Sequence, residues 1–227
     1  MEMLYQSLGN LAIQIAGATR VFHHYKLDFC CGGHRTLAEA LHKKGLQAEP
    51  ILTELKQLAE KGETEKDWTS ASNQELIAHI LERFHAKHRQ QLPELIRLAR
   101  RVEQVHGDSA DCPQGLAEHL ENMHLELENH MLKEEQILFP MLSNGFHPSG
   151  PINVMQEEHL DHGEALEQML TLAHDLELPL GACNTWTALY LGLKELKEDL
   201  MDHIHLENNV LFVERQSGEG SCCGSCH

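Results

Sequence analysis

This 227-residue chain is poor in basic and aromatic residues. Lysine and arginine total 18 against 35 aspartate and glutamate, the formal net charge is −17, and aromatics make up 5%. A nucleic-acid binder needs basic surface for phosphates and aromatic faces for stacking, so this composition argues against that class. An acidic surface favours solubility and keeps the chain away from anionic lipid. No apolar run reaches the roughly 18–20 residues that a bilayer requires. The first twenty residues have no basic n-region, and their apolar stretch is broken by Gly9, Asn10, Gln14 and Gly17. They read as an amphipathic helix, not an export signal. The expectation is a soluble, cytoplasmic protein. Seven cysteines, an odd number, make a disulfide framework unexpected in such a compartment.

No stretch reads as a run of strands, whereas helical periodicity is widespread. Short apolar repeats at Leu4, Leu8, Leu11 and Ile15, at Leu37, Ala40 and Leu41, and at Ile51, Leu52, Leu55 and Leu58 mark a small helical N-terminal domain over 1–61. Residues 62–72 are polar and aperiodic, a linker. Ser72 and Glu75 form a capping box that opens a first long helix over 73–106, with a kink expected at Pro93. Further helices are expected over 114–143, 151–177 and 182–213. Short loops between long helices favour antiparallel neighbours. The fold class is therefore all-α, a four-helix up-down bundle over 73–215, followed by a flexible cysteine-rich tail over 216–227.

The bundle is written twice. His130, Glu134, Leu138 and Phe139 recur as His203, Glu207, Leu211 and Phe212 at identical offsets. His85 precedes the first pair, and His159 the second, at almost the same distance. Residues four apart stack on one helix face, so each His-x-x-x-Glu can present two ligands to one point. From each lone histidine to its helix end, and back along the next helix to the pair, the legs are nearly equal at ~1.5 Å per residue. All six side chains can then meet in one layer. The simplest partition gives each of two metals two histidines, with Glu134 and Glu207 bridging. An oxo or hydroxo bridge would complete five-coordination and leave a position open on each. Mixed nitrogen and oxygen ligands with open positions suit iron or manganese, whereas a structural zinc wants four closed ligands. Iron is the choice, as two non-haem ions.

Glu126, Glu158 and Asp199 lie on or beside the ligand stripe and are candidates to orient the imidazoles. His88 and His162, each three residues beyond a lone histidine, read as helix-surface residues, with His162 the best substitute ligand. Leu138, Phe139, Leu211 and Phe212 read as core positions without chemistry. Cys30 and Cys31, beside Gly32 and Gly33, are placed for redox work or metal delivery. In the tail, Cys222, Cys223, Cys226 and His227 form a soft set suited to transient metal binding, while Cys112 and Cys183 carry no signal.

The chain resembles the repair-of-iron-centres (RIC or ScdA) family over about residues 5 to 213. The block from Tyr25 to Gly33, with its paired cysteines, is similar to that family's short N-terminal domain. The blocks from His130 to Pro140 and from Met201 to Asn209 are similar to its hemerythrin-like domain. The resemblance implies a di-iron centre on His85, His130, Glu134, His159, His203 and Glu207, and repair of iron–sulfur clusters damaged by nitric oxide or peroxide. Damaged iron–sulfur proteins are then the partners, with nitric oxide or oxygen as small ligands. The cysteine-rich end departs from the family pattern. Two other classes compete with iron donation: a di-iron enzyme reducing nitric oxide to nitrous oxide, and a binding or sensing module for a diatomic gas. Whether the chain forms a homodimer stays open.

Overall fold

Reciprocal capping starts two of the helices. Ser72 accepts a hydrogen bond from the Glu75 N–H while Glu75 accepts from the Ser72 N–H, and Thr36 and Glu39 do the same. Each box satisfies two donors that a helix start would otherwise leave unpaired. The computed structural model describes residues 2–61 and 67–214. Four short helices come first: α1 (Leu8–Gln14), α2 (Ala18–His24), α3 (Leu37–Lys44) and α4 (Ala48–Lys61). Gly17, at φ 79, supplies the left-handed residue that separates α1 from α2. Four long helices follow, over 73–106 (α5), 116–143 (α6), Ser149–Leu172 (α7) and 184–211 (α8). Among the described residues there is no strand, only one isolated bridge between Ser7 and Thr36.

Helix α5 is unbroken across Pro93. Helix α7 ends earlier than its periodicity suggests. After Leu172 the chain tightens into a 3-10 turn at His174–Leu176, where all three residues have positive φ.

The long helices form a closed ring, α5 against α6 and α8, and α7 against α6 and α8. Their apolar residues fall into two separate clusters. Along α5 the smaller cluster comes first (Leu76, Ile80, Phe84) and the larger second (Leu92, Leu95, Ala99). Along α6 the order reverses, along α7 it returns, and along α8 it reverses again. That alternation is the signature of an up-down-up-down bundle. Between the clusters, on every helix, lies a buried histidine or glutamate: His85, Glu134, His159 and His203 with Glu207. One polar layer thus cuts the core in two.

The N-terminal helices share the larger cluster. Leu8, Leu11, Phe22, Phe29 and Leu37 belong to the same continuous core as Leu166, Leu200 and Ile204. Phe29 is fully buried, 5.7 Å from the Phe22 ring and 5.4 Å from that of His205 on α8. His23 adds a 3.2 Å contact to Asp202. Close approach demands glycine here: a Cβ on Gly33 would lie 2.5 Å from the Phe29 carbonyl oxygen. Phe29→Ala should lower stability by about 3–5 kcal/mol, the cost of emptying a buried phenyl site. Urea unfolding reads this directly, and a loss under about 1 kcal/mol would mean that this docking contact is not part of the cooperative core.

Candidate metal centre

The repeat reaches into the backbone. Three of the four long helices contain one π turn each, at Leu81–His85, Glu134–Leu138 and Glu207–Leu211. In the last two the glutamate opens the turn, and its carbonyl accepts from the amide five residues on, of Phe139 and of Phe212. A π turn adds a residue to the helical circuit and is uncommon outside functional sites. Here it brings the residue five beyond each glutamate back over the layer. Phe139 stacks on His85 with ring centroids 5.7 Å apart, and Phe212 on His159 at 5.9 Å. These two phenylalanines, read from sequence as plain core, wall the imidazoles.

The structure brings the six expected ligands together in that layer, all buried. The lone histidine of each repeat faces the paired histidine of the other. His85 Nε2 lies 3.1 Å from His203 Nε2, and His159 Nε2 lies 3.1 Å from His130 Nε2. Each glutamate spans both pairs. Glu134 sends Oε2 toward His85 and Oε1 toward His130, each at 3.4 Å. Glu207 sends Oε1 toward His203 at 3.0 Å and Oε2 toward His159 at 3.1 Å. Two sets result, His85/His203 and His130/His159, each completed by Glu134 and Glu207, with ligand atoms within 4.8 Å of one another.

The donor chemistry fits cations. Both Glu134 oxygens and Glu207 Oε2 have no hydrogen-bond partner among the described residues, although they are fully enclosed. Such anions are expensive to bury without compensation. Burial and the charge of Glu207 both push the Glu134 carboxyl up, but His130 and His85 outweigh them and hold it below the ordinary range. Burial likewise opposes the Glu207 carboxylate, and His203 and His159 bring it well below that range. Burial works against a proton on His130, yet Glu134, Glu207 and Glu158 carry its pKa up to about 9. His85 is raised in the same way, against burial, by Glu134, Glu207 and Glu135. For His203 burial prevails and the ring stays neutral. Protons on His85 and His130 thus take up part of the role that cations at the same nitrogens would fill.

Outer hydrogen bonds orient the rings so that Nε2 faces inward. Glu158 accepts from His130 Nδ1 at 2.8 Å and is itself paired with Lys133. Two further partners went unread in the sequence. Glu135 accepts from His85 Nδ1 at 2.8 Å and is held by Arg89, and Asn208 Oδ1 accepts from His159 Nδ1 at 2.9 Å. Each directly follows a ligand glutamate, so the repeat itself carried the signal. Two expectations are corrected. Glu126 is exposed, because the helix presents only its His130 and Glu134 side to the layer. Asp199 is buried, but it neutralises Arg83 Nη2 at 2.6 Å and Lys87 Nζ at 2.5 Å, charges that its carboxylate needs once it is out of water. His88 and His162 are not surface residues either. Both are buried beside the ligands, and burial first, then the neighbouring histidines, drives their pKa down, to about 3 for His162.

Cys30 and Cys31 sit against the layer. Cys31 Sγ lies 3.1 Å from the carbonyl oxygen of His159, and Asn208 Nδ2 donates to the Cys30 carbonyl at 3.3 Å. Asn208 therefore ties the thiol loop to the His159 ring. The sulfurs are 3.7 Å apart and both cysteines are free. The hydrogen bond to Cys31, then burial, raises the Cys30 thiol well above its ordinary value, so it stays protonated. With Asp28, the pair makes a third set of converging ligand atoms. Cys183, which carried no signal in the sequence, sits just before α8 with its thiol 3.2 Å from His106 Nε2. Backbone N–H donation from Trp186, then His106, lowers its pKa to about 7. Cys222, Cys223, Cys226 and His227 lie outside the described residues.

Comparison with known families agrees with this geometry. Residues 76–214 match the Hemerythrin HHE cation binding domain, and residues 4–59 match ScdA_N, described as a domain of unknown function. The chain is 50% identical over 216 residues to iron-sulfur cluster repair proteins YtfE of Dickeya chrysanthemi and Escherichia coli O157:H7, covering 94% of this chain and 98% of each relative. The protein of that name from Citrobacter koseri is 50% identical over 221 residues, 96% of this chain and all of the relative. With a cation-binding domain matched and two buried His/Glu sets in place, the layer is a site for two cations.

Glu158→Gln should weaken cation binding about 10–100-fold by loosening the His130 ring, whereas Glu126→Gln should leave it unchanged. Competition against a chelator of known affinity separates the two, and equal effects would remove Glu158 from the centre. The pH dependence has a definite sign. His130 and His85 hold protons more tightly folded than unfolded, so in the cation-free chain their contribution to stability is fully present below pH 6.5. The His130 part is lost as pH rises through about 9, and the His85 part as pH rises through its own raised pKa. A cation displaces those protons, so its affinity should rise with pH across that window. A flat profile would show that the two imidazoles are not ligands.

Proposed function

This chain belongs to the family of hemerythrin HHE cation-binding proteins that includes the iron-sulfur cluster repair proteins, and on that premise we propose that it repairs damaged iron–sulfur clusters by donating iron. His85, His130, Glu134, His159, His203 and Glu207 would hold two non-haem iron ions, the cargo of the reaction. The observation that carries this reading is the placement of each carboxylate, with one oxygen toward each histidine pair. Four imidazole nitrogens and two bridging carboxylates, with no thiolate, suit iron in preference to a soft or closed-shell structural metal. Oxygen ligands that bridge also let one ion leave while the other keeps both carboxylates.

Iron bound in this set would supply open coordination positions and a transferable ion. The protein's own part is to keep the acceptor nitrogens inward, through Glu135, Glu158 and Asn208, and to keep bulk water out with Phe139 and Phe212. The Cys30–Cys31 loop beside His159 places thiols where iron would leave, a contact that a pure gas carrier has no use for. Damaged iron–sulfur proteins are the recipients, and nitric oxide or oxygen the small ligands. No described helix is long and apolar enough to cross a membrane, which accords with a cytoplasmic place of action. The two domains divide as 1–61 and 73–215, the first carrying the thiols and the second the iron.

Glu207→Leu should leave fewer than two irons per chain and abolish recovery of a nitric-oxide-damaged cluster in a purified dehydratase incubated with the iron-loaded protein. Recovery at the wild-type rate by Glu207→Leu would end the donor reading. Steady production of nitrous oxide under a physiological reductant, with no iron lost, would replace it with the reductase reading.

A further inference from the structure

The repeat places a histidine three residues beyond each lone ligand: His88 after His85, and His162 after His159. Both are buried, and both carry ring nitrogens without a hydrogen-bond partner among the described residues: Nδ1 and Nε2 of His88, and Nε2 of His162. An imidazole out of water with an unmet nitrogen needs an explanation, because such a group costs free energy unless something completes it. Neither belongs to the two four-residue sets, so neither is a resident ligand in this arrangement. Each stands one step outside. His88 packs 5.4 Å from the His203 ring, and His162 packs edge-on, 4.9 Å from the His130 ring. Each pair of ligand histidines therefore has one extra imidazole at its back.

The surroundings of the two extra rings differ. Burial first, then His203 and His85, and last Lys87 and Arg83 lower the pKa of His88. Those two cations are locked onto Asp199. On that side the way out is closed by a ring: Phe84 lies flat on His203, 5.2 Å away with the rings within 7° of parallel. A partly exposed carboxylate backs one histidine of each pair, Glu135 on His85 and Glu158 on His130, so the difference lies elsewhere. His159 and Gly163 on the same helix lie against Cys31: its Sγ is 3.1 Å from the His159 carbonyl and would be 3.3 Å from a Cβ on Gly163. Gly163, the residue after His162, leaves the thiol room against α7.

We infer that the two cation positions are not equivalent: the one set by His130 and His159 is exchangeable, and His162 is the ligand that its cation meets on leaving. His162 is one turn along α7 from His159 and its ring packs against that of His130, so its free Nε2 is the next unmet nitrogen beside this pair. Stepwise ligand exchange of this kind avoids a bare ion in a low-dielectric interior. The His85/His203 position keeps its cation and holds the bundle together while the other turns over. This inference rests on the donor reading for its purpose, not for its geometry.

The test begins with anaerobic protein carrying ferrous iron in both sets, mixed with a colour-forming ferrous chelator. Wild type should release iron in two phases of equal amplitude. His162→Gln should slow the first phase about tenfold, the scale of effect seen when a group beside a metal is replaced, and leave iron content per chain unchanged. His88→Gln should leave the first phase alone. A single phase in wild type, or a first phase that His162→Gln does not slow, overturns the inference. A second measurement needs no variant: wild-type crystals depleted to half their iron, with anomalous scattering recorded at the iron edge. Residual iron between His85 and His203 supports the assignment, and residual iron between His130 and His159 overturns it. Two-phase release without recovery of a damaged cluster would remove the donor reading and leave the inequivalence standing. One-phase release with full recovery would do the reverse.

Discussion

Two carboxylates enclosed in the middle of a bundle are the constraint around which the rest is arranged. Glu134 and Glu207 are fully buried, share one layer, and repel one another. Desolvating each costs several kcal/mol even after relaxation. Four imidazoles answer that cost, His85, His130, His159 and His203, drawn from four different helices. Because the layer must be polar across the whole cross-section, the apolar core is split into two clusters. Because both carboxylates must reach inward while a phenylalanine returns over the same spot, α6 and α8 each take a π turn that begins at the glutamate. The outer charges, Arg89 on Glu135 and Lys133 on Glu158, settle the second ring of anions that orients the imidazoles.

The duplication shows in what repeats and in what does not. The residue after each ligand glutamate, Glu135 or Asn208, holds the Nδ1 of the lone histidine in its own repeat. The phenylalanine five beyond each glutamate stacks on that same ring. The residue before each lone histidine touches the paired histidine of the other repeat, but here the symmetry breaks. Glu158 gives His130 a carboxylate, whereas Phe84 gives His203 only a ring face. The His130 ring thus meets a partly exposed carboxylate where the matching His203 ring is capped by a phenyl face. The asymmetry comes from side-chain identity at matched positions, not from the backbone.

The N-terminal helices join this asymmetry on one side. They share the larger core cluster, and the Cys30–Cys31 loop meets His159 and Asn208 but neither His85 nor His203 in the hydrogen bonds that it makes. A thiol module tied to one histidine pair gives a two-cation layer a direction.

Much of this was legible in the chain. The repeat His130-x-x-x-Glu134 and His203-x-x-x-Glu207, with His85 and His159 at matched distances, set the helices, their antiparallel order and the six groups that converge. It did so because helix periodicity and leg length are one-dimensional properties. What the chain alone could not decide is which helix face meets which neighbour at short range. Glu126, four residues from a ligand, faces water, while Glu158, on the next helix, holds the His130 ring. Asp199 is buried, but its partners are Arg83 and Lys87. His88 and His162 look like surface residues by composition and prove to be enclosed. Residue spacing determined which six side chains share a layer. The packing of four helices and an N-terminal module decided that His85 pairs with His203 and His130 with His159, because partners across a bundle are chosen by lateral distance, which no spacing along one chain records.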